Sequence, residues 1–260
     1  MKPLLPTTAC LLAACLALPA LAADMIATIA RVKPSVVVVG TYQKTASPPF
    51  VMRGTGFVIG NGNLVATNSH VLPEEAGPDA PVLVIQARGS DGSAQLRPAR
   101  LLNRDPDHDL AVLRIDGPPL PALQLRDSDS VREGQLVGFT GFPIGGALGF
   151  SPVTHRGMVA SITPIKLPGG TARQLNEKAI RQIKRGTFDI FQLDATAYPG
   201  NSGSPVFDID SGEVIGVINM VFIKGSKESA LSQPSGISYA IPANYLKRLV
   251  SEFTSSDIER

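Results

Sequence analysis

The sequence predicts an all-β chain built from two packed strand sets, and three observations carry that expectation. The 260 residues hold 25 glycines and 22 prolines, too many breakers for long helices and well suited to short strands joined by turns. β-Branched runs recur along the chain, the plainest being SVVVVGT at residues 35–41. A proline cluster, Pro118-Pro119-Leu120-Pro121, then divides those runs into two groups of roughly six. Two barrels or one large sandwich would satisfy this pattern.

The elements follow in order. The first 23 residues read as an address. Met1-Lys2 gives a short positive start, residues 3–22 are apolar or small, and Ala20-Leu21-Ala22-Ala23-Asp24 has the small-x-small form of a secretory cleavage site. Cleavage after Ala22 or Ala23 is expected. A second layout overlaps it: in Leu12-Ala13-Ala14-Cys15, Cys15 would become an acylated first residue and tether the chain to a membrane. Cys10 and Cys15 both lie in this stretch, so residues 24–260 contain no cysteine and must fold on their core alone.

Six strands are expected before the prolines: Ser35–Thr41, Gly56–Ile59, Leu64–Thr67, Pro81–Arg88, Leu96–Leu102 and Leu110–Ile115. Gly60-Asn61-Gly62-Asn63 is a hairpin signal between the second and third. Six more follow at Gln135–Thr140, Val153–Ile162, Phe188–Asp194, Ser204–Phe207, Val214–Ile223 and Gly236–Ile241. Residues 42–53 and 72–80 read as plain loops. Two helices break the pattern. Ala243–Phe253 puts Leu246, Leu249 and Phe253 on one face, and Thr171–Arg185 carries Arg173, Lys178, Arg181, Lys184 and Arg185 around an apolar stripe.

Composition excludes several functions. With 24 basic and 22 acidic residues the formal charge is +2, and there is no tryptophan, so neither an electrostatic footprint nor a stacking platform for nucleic acid is present. No cofactor or metal is expected: the cysteines lie in the leader and three histidines remain.

Three side chains can do chemistry together. Gly200-Asn201-Ser202-Gly203-Ser204-Pro205 sets a serine between glycines, ahead of a strand. That is how a nucleophile is held on a tight turn, with the Gly200 and Ser202 N–H groups near a developing oxyanion. An ordinary Gly-Ser turn reads the same way locally. His70 follows a buried strand and could serve as the base, or be a structural histidine. Asp109 stands at the entry to Leu110–Ile115 and could orient that base, or cap the strand. Asp105, Asp107 and Asp109 lack the glycine and distal glutamate of a calcium loop. What joins these weak signals is their order. His70, Asp109, Ser202 runs His…Asp…Ser, with the first two in one strand set and the third in the other.

On these residues the chain resembles the HtrA (Deg) branch of the trypsin-like serine proteases. The matching segments are Gly54–Ile59 (GTGFVI), Val65–Val71 (VATNSHV), Asp105–Leu113 (DPDHDLAVL), Asp194–Pro205 (DATAYPGNSGSP) and Gly236–Pro242 (GISYAIP). The resemblance implies a chymotrypsin-like double β-barrel with a C-terminal helix, its halves at roughly 24–125 and 126–260. It implies His70 as general base, Asp109 as its orienting carboxylate, Ser202 as nucleophile, and Gly200, Asn201 and Ser202 at the oxyanion turn. Thr196, Ala197 and Val221 would line a small apolar specificity pocket, because Thr196 stands where a trypsin-like pocket needs an aspartate.

The expected activity is an exported serine endopeptidase acting on unfolded polypeptides, in the periplasm or secreted. A non-cleaving chaperone or scaffold and a small-substrate esterase are the alternatives. A homo-oligomer is compatible with the sequence. Three departures from the family pattern stand out. The appended PDZ domain is not seen, the segment holding residues 171–185 is long, and Ser204 replaces a frequent glycine. Asn201 stands where digestive relatives carry an aspartate that pairs with a freed N-terminus, so no activating cut is expected.

Overall fold

The computed structural model describes residues 25–73, 77, 80–89, 92–145, 149–164, 188–219 and 236–252. The leader, the basic segment at 171–185 and Val221 lie outside them. The chain opens with α1 (Met25–Val32) and continues through β1 (Val36–Tyr42), β2 (Phe50–Ile59), β3 (Leu64–Asn68), β4 (Val82–Arg88), β5 (Ala94–Asp105) and β6 (Leu110–Ile115). After the linker come β7 (Leu136–Gly141), β8 (Val153–Pro164), β9 (Asp189–Asp194), β10 (Pro205–Asp208), β11 (Val214–Asn219), β12 (Ile237–Pro242) and α2 (Ala243–Ser251). The strands close into two antiparallel barrels, β1-β2-β3-β6-β5-β4 and β7-β8-β9-β12-β11-β10. The strand order is the same in both. This is the chymotrypsin-like double barrel with a C-terminal helix, and each expected strand has its counterpart, with β2 starting six residues early and the expected end of Val214–Ile223 lying outside the described residues.

The continuous apolar strands have two faces to fill. In β1, Val37 and Val39 point into the first barrel, whose core includes Val58, Val65, Ala111 and Leu113. Val36 and Val38 point the other way. They join Phe57, Leu110 and Val112 in a core shared with Phe207, Val214, Val217 and Ile241 of the second barrel, closed by Leu246 and Leu249 of α2. A third core fills the second barrel with Val137, Phe139, Val159, Leu193, Ile215 and Ile218. A strand buried on both faces loses the polar alternation of a half-exposed one. The linker is stitched to both barrels: Leu123 N–H donates to Val58 at 2.9 Å, and Val214 N–H donates to Gln124 at 2.8 Å.

Two readings change. Residues 42–53 are not all loop, because β2 begins at Phe50 and pairs Phe50, Val51 and Met52 with Tyr42, Thr41 and Gly40. This stretch alternates between half-buried and exposed side chains, so pairing with β1 extends it rather than a buried face. Helix α1 carries no sequence expectation. It buries only Thr28 and Val32 and holds its place by docking, with the Arg31 guanidinium donating to the Ser211 carbonyl at 3.2 Å. An eight-residue helix is marginal without such docking.

His155 gives the fold a pH dependence. It lies on β8 opposite Phe139, the rings stacked 4.7 Å apart. Its Nε2 is buried and meets no partner among the described residues. Burial disfavours the charged ring and lowers its pKa below the usual value. Stability from this ring is therefore present above the unfolded value of about 6.5 and is lost as pH falls toward the lower folded value. We expect His155→Phe to flatten the decline in stability between pH 7.5 and 5.5, measured as the shift in urea midpoint.

Candidate active site

The site forms along the seam between the barrels. β3 ends in a short turn, Ser69–Val71, that turns the His70 side chain out at the seam. The β5–β6 connection delivers Asp109. Asp105 builds that connection: its carboxylate accepts the N–H groups of Asp107 and His108 at 3.0 and 3.1 Å and meets His108 Nδ1 at 2.6 Å. Burial pushes the Asp105 carboxyl up, but the bonds from His108 outweigh it and hold the pKa below the usual carboxylate value. His108 in turn stacks on Tyr245 at 4.0 Å. Asp109 leaves the turn with φ +52°, an uncommon conformation for a non-glycine residue. Its carbonyl is held there by Asn68 Nδ2 at 3.0 Å and Ser69 N–H at 3.1 Å.

The Asp109 carboxylate then takes three donors. His70 N–H reaches Oδ1 at 2.8 Å, His70 Nδ1 reaches Oδ2 at 2.6 Å, and Asn219 Nδ2 reaches Oδ2 at 2.7 Å. A carboxylate against Nδ1 keeps the ring proton on that nitrogen. His70 Nε2 is thereby left as a lone pair, 3.0 Å from Ser202 Oγ. The three residues that the sequence singled out by order thus form one chain of hydrogen bonds across the seam. The His70 side chain is 33% exposed, so the chain is reachable from solvent.

The turn holding Ser202 is tightly determined. Asn201 N–H donates to the Tyr198 carbonyl, Ser204 N–H to Asn201 and Gly203 N–H to Ile218, at 2.9, 2.9 and 3.0 Å. Asn201, grouped with the oxyanion turn from sequence, therefore uses its backbone N–H to close the turn. Ile144 N–H donates to the Pro199 carbonyl at 2.7 Å. In a trans peptide the N–H points opposite to the C=O, so the Gly200 N–H faces away from Ile144. Gly200 has φ +101°, and a Cβ there would lie 2.2 Å from the Phe142 carbonyl. Only glycine fits.

On the wall ahead of the turn, Thr196 is half-buried, while Ala197 is buried in the second barrel core with its N–H on Ser238 Oγ at 2.9 Å. Asp194 is exposed at the end of β9. Asn219 carries a role that sequence spacing did not reveal. It lies two residues before Val221, and its side chain is buried and turned onto Asp109. No motif marks it, because the contact joins strand ends in different barrels.

The family model of the trypsin-like peptidase domain matches residues 54–217. A probable periplasmic serine endoprotease of the DegP-like kind from Marinomonas sp. (strain MWYL1) is 31% identical over 202 residues, covering 78% of this chain and 35% of the relative. The mitochondrial serine protease HTRA2 of Drosophila willistoni is 32% identical over 203 residues, covering 78% of this chain and 39% of the relative. The solved HtrA-type protease AlgW with a tripeptide aligns with TM-score 0.63 at 26% identity, over 88% of this chain and 62% of that one. The chain thus spans about a third of the length of the DegP-like relatives it matches.

A hydrogen bond to a charged group is worth about 1.5–3 kcal/mol. Asn219→Ala is therefore expected to slow fluorophosphonate labelling of Ser202 by about tenfold or more. Asn219→Asp, which sets a like charge against Asp109, is expected to slow it further. Labelling rates followed by intact mass check both.

Proposed function

The chain belongs to the trypsin-like peptidase family, with HtrA-type proteases among its relatives, and on that premise we propose that it is a serine endopeptidase that cleaves unfolded polypeptides through an acyl-enzyme. The single observation that carries this reading is the unbroken chain Asn219–Asp109–His70–Ser202.

In this mechanism Ser202 Oγ attacks the scissile carbonyl carbon while His70 Nε2 takes its proton. Asp109 keeps the other ring proton on Nδ1 and stabilises the imidazolium that forms. The negative oxygen of the tetrahedral intermediate is met by the N–H groups of Gly200 and Ser202. Collapse breaks the C–N bond, and His70 returns the proton to the leaving amine. Water then enters, gives a proton to His70 and attacks the acyl carbon, and a second collapse releases the acid and restores Ser202. No step needs a metal or organic cofactor.

Export fits the same reading. Residues 1–23 would be removed as a signal segment, leaving a protease domain at 24–260 and placing the enzyme in the periplasm. The leader-like sequence supports this, as does the word periplasmic in the names of the DegP-like relatives. A mature N-terminus at Ala23 or Asp24, read by intact mass, is the expected outcome. A lipidated start at Cys15 would place the protein on a membrane instead.

Specificity follows from the pocket walls. Thr196 and Ala197 present no carboxylate, with Val221 proposed opposite. A lysine or arginine side chain buried there without a partner would cost several kcal/mol, roughly. Apolar side chains should be favoured, with differences of about 1–3 kcal/mol per methylene and hence broad selectivity.

One experiment tests activity and pocket together. A loosely folded protein is digested by wild type and by Ser202→Ala, and the cut sites are read by mass spectrometry. Wild type should cut after Val, Ala, Ile or Leu. Ser202→Ala should keep the fold and lose on the order of 10⁶-fold in rate. Undiminished digestion by the variant would refute the serine mechanism, and dominant cleavage after Lys or Arg would refute the pocket. Tight binding without cutting by wild type would favour the chaperone reading.

A further inference from the structure

The peptide planes on either side of Gly200 are each pinned by their carbonyl oxygen. The Pro199 carbonyl accepts from Ile144 N–H at 2.7 Å. The Gly200 carbonyl accepts from the hydroxyl of Thr55 at 2.7 Å. Gly200 is the joint between these planes, and glycine has the widest choice of φ and ψ of any residue. The turn bond from Asn201 N–H to Tyr198 at 2.9 Å also favours positive φ at Gly200, and the two carbonyl anchors tie that turn, at φ +101°, to the structure around it.

Thr55 belongs to the other barrel, on β2, and is fully buried. Every polar group it has is engaged at the seam. Its N–H donates to the Ser202 carbonyl at 2.8 Å. Its hydroxyl accepts the Phe142 N–H at 3.1 Å while donating to Gly200. Its carbonyl accepts the Thr67 hydroxyl at 2.7 Å, and Thr67 lies on β3, three residues before His70. The backbones are pressed together here, since a Cβ on Gly203 would fall 2.0 Å from the Thr55 carbonyl oxygen.

We propose that Thr55 is a positioning residue for acyl transfer. The Gly200–Asn201 peptide plane is bonded at its N–H end within the turn, to Tyr198, and at its carbonyl end to Thr55 of the other barrel; the Thr55 hydroxyl thereby sets how the turn sits in the seam and keeps its N–H groups aimed at the developing oxyanion. It acts through the turn and touches no substrate. The role needs one group that donates and accepts at once, which a hydroxyl supplies and an alkyl group does not. The inference rests on the serine endopeptidase reading above.

The test compares Thr55→Val, which keeps the shape and removes the hydroxyl, with Thr55→Ser, which keeps the hydroxyl. All variants are first shown folded at the assay temperature by urea midpoints. On a peptide substrate, Thr55→Val should lower kcat by about 10–100-fold with KM changed by no more than about threefold. Thr55→Ser should stay within about threefold of wild type. Affinity for a peptide aldehyde, which binds as a tetrahedral adduct, should fall with kcat in Thr55→Val, while affinity for the product peptide holds. A role confined to structure would not split the two.

The proposal is overturned if Thr55→Val keeps its kcat, if Thr55→Ser falls as far as Thr55→Val, or if only KM moves. Should Thr55→Val fail to fold, Thr55→Ala against Thr55→Ser makes the same comparison. If wild type cleaves no peptide, the endopeptidase reading fails by itself. The rate of fluorophosphonate labelling at Ser202 still reads the turn, with slowing of about tenfold or more expected in Thr55→Val, and an unchanged rate refuting the proposal.

Discussion

The shared core between the barrels sets the distance across which His70 meets Ser202 and Asn219 meets Asp109. Val36, Val38, Phe57, Leu110 and Val112 come from one side, and Phe207, Val214, Val217 and Ile241 from the other. Each functional side chain stands next to a strand that contributes to this core. Asp109 precedes Leu110, His70 follows the strand of Ala66, Ser202 precedes the strand of Phe207, and Asn219 ends the strand of Val217. Close packing of that core leaves little play, which is what holds His70 Nε2 at 3.0 Å from Ser202 Oγ when the two residues belong to different barrels. Apolar burial supplies the force, and hydrogen bonds at the rim supply the aim.

Strain at the site is met by local bonds. Asp109 at φ +52° and Ile144 at φ +59° are the non-glycine residues with positive φ among those described, and both lie at the candidate site around Ser202. Asp109 is held by donors to its carbonyl and to both carboxylate oxygens. Ile144 is held by its bond to the Pro199 carbonyl. Beneath the turn, both polar atoms of the Asn201 amide and the Ser204 hydroxyl are buried without a partner among the described residues. Ser204 fits because Gly141 faces it: a Cβ at Gly141 would lie 2.0 Å from Ser204 Oγ.

Much of this was legible beforehand, and the reason is the double burial of the strands. Runs such as SVVVVGT and LAVLRI are apolar throughout because one face fills a barrel and the other fills the seam, and such runs stand out against Gly- and Pro-rich turns. Residues 50–53 and α1 were not legible, because both are held by what they lie against. Phe50–Met52 follow β1, and α1 rests on the turn at Ser211.

The sequence by itself determined the strand count, the two-part division, and the identity and order of His70, Asp109 and Ser202, because turn residues, β-branched runs and reactive side chains are local properties of the chain. The tertiary structure alone decided that Asn219 holds Asp109 and that Thr55 holds Gly200. Those bonds join residues 110 and 145 positions apart. Neither carries a local pattern, since the geometry that makes them is set by two barrels packing against each other rather than by any spacing along the chain.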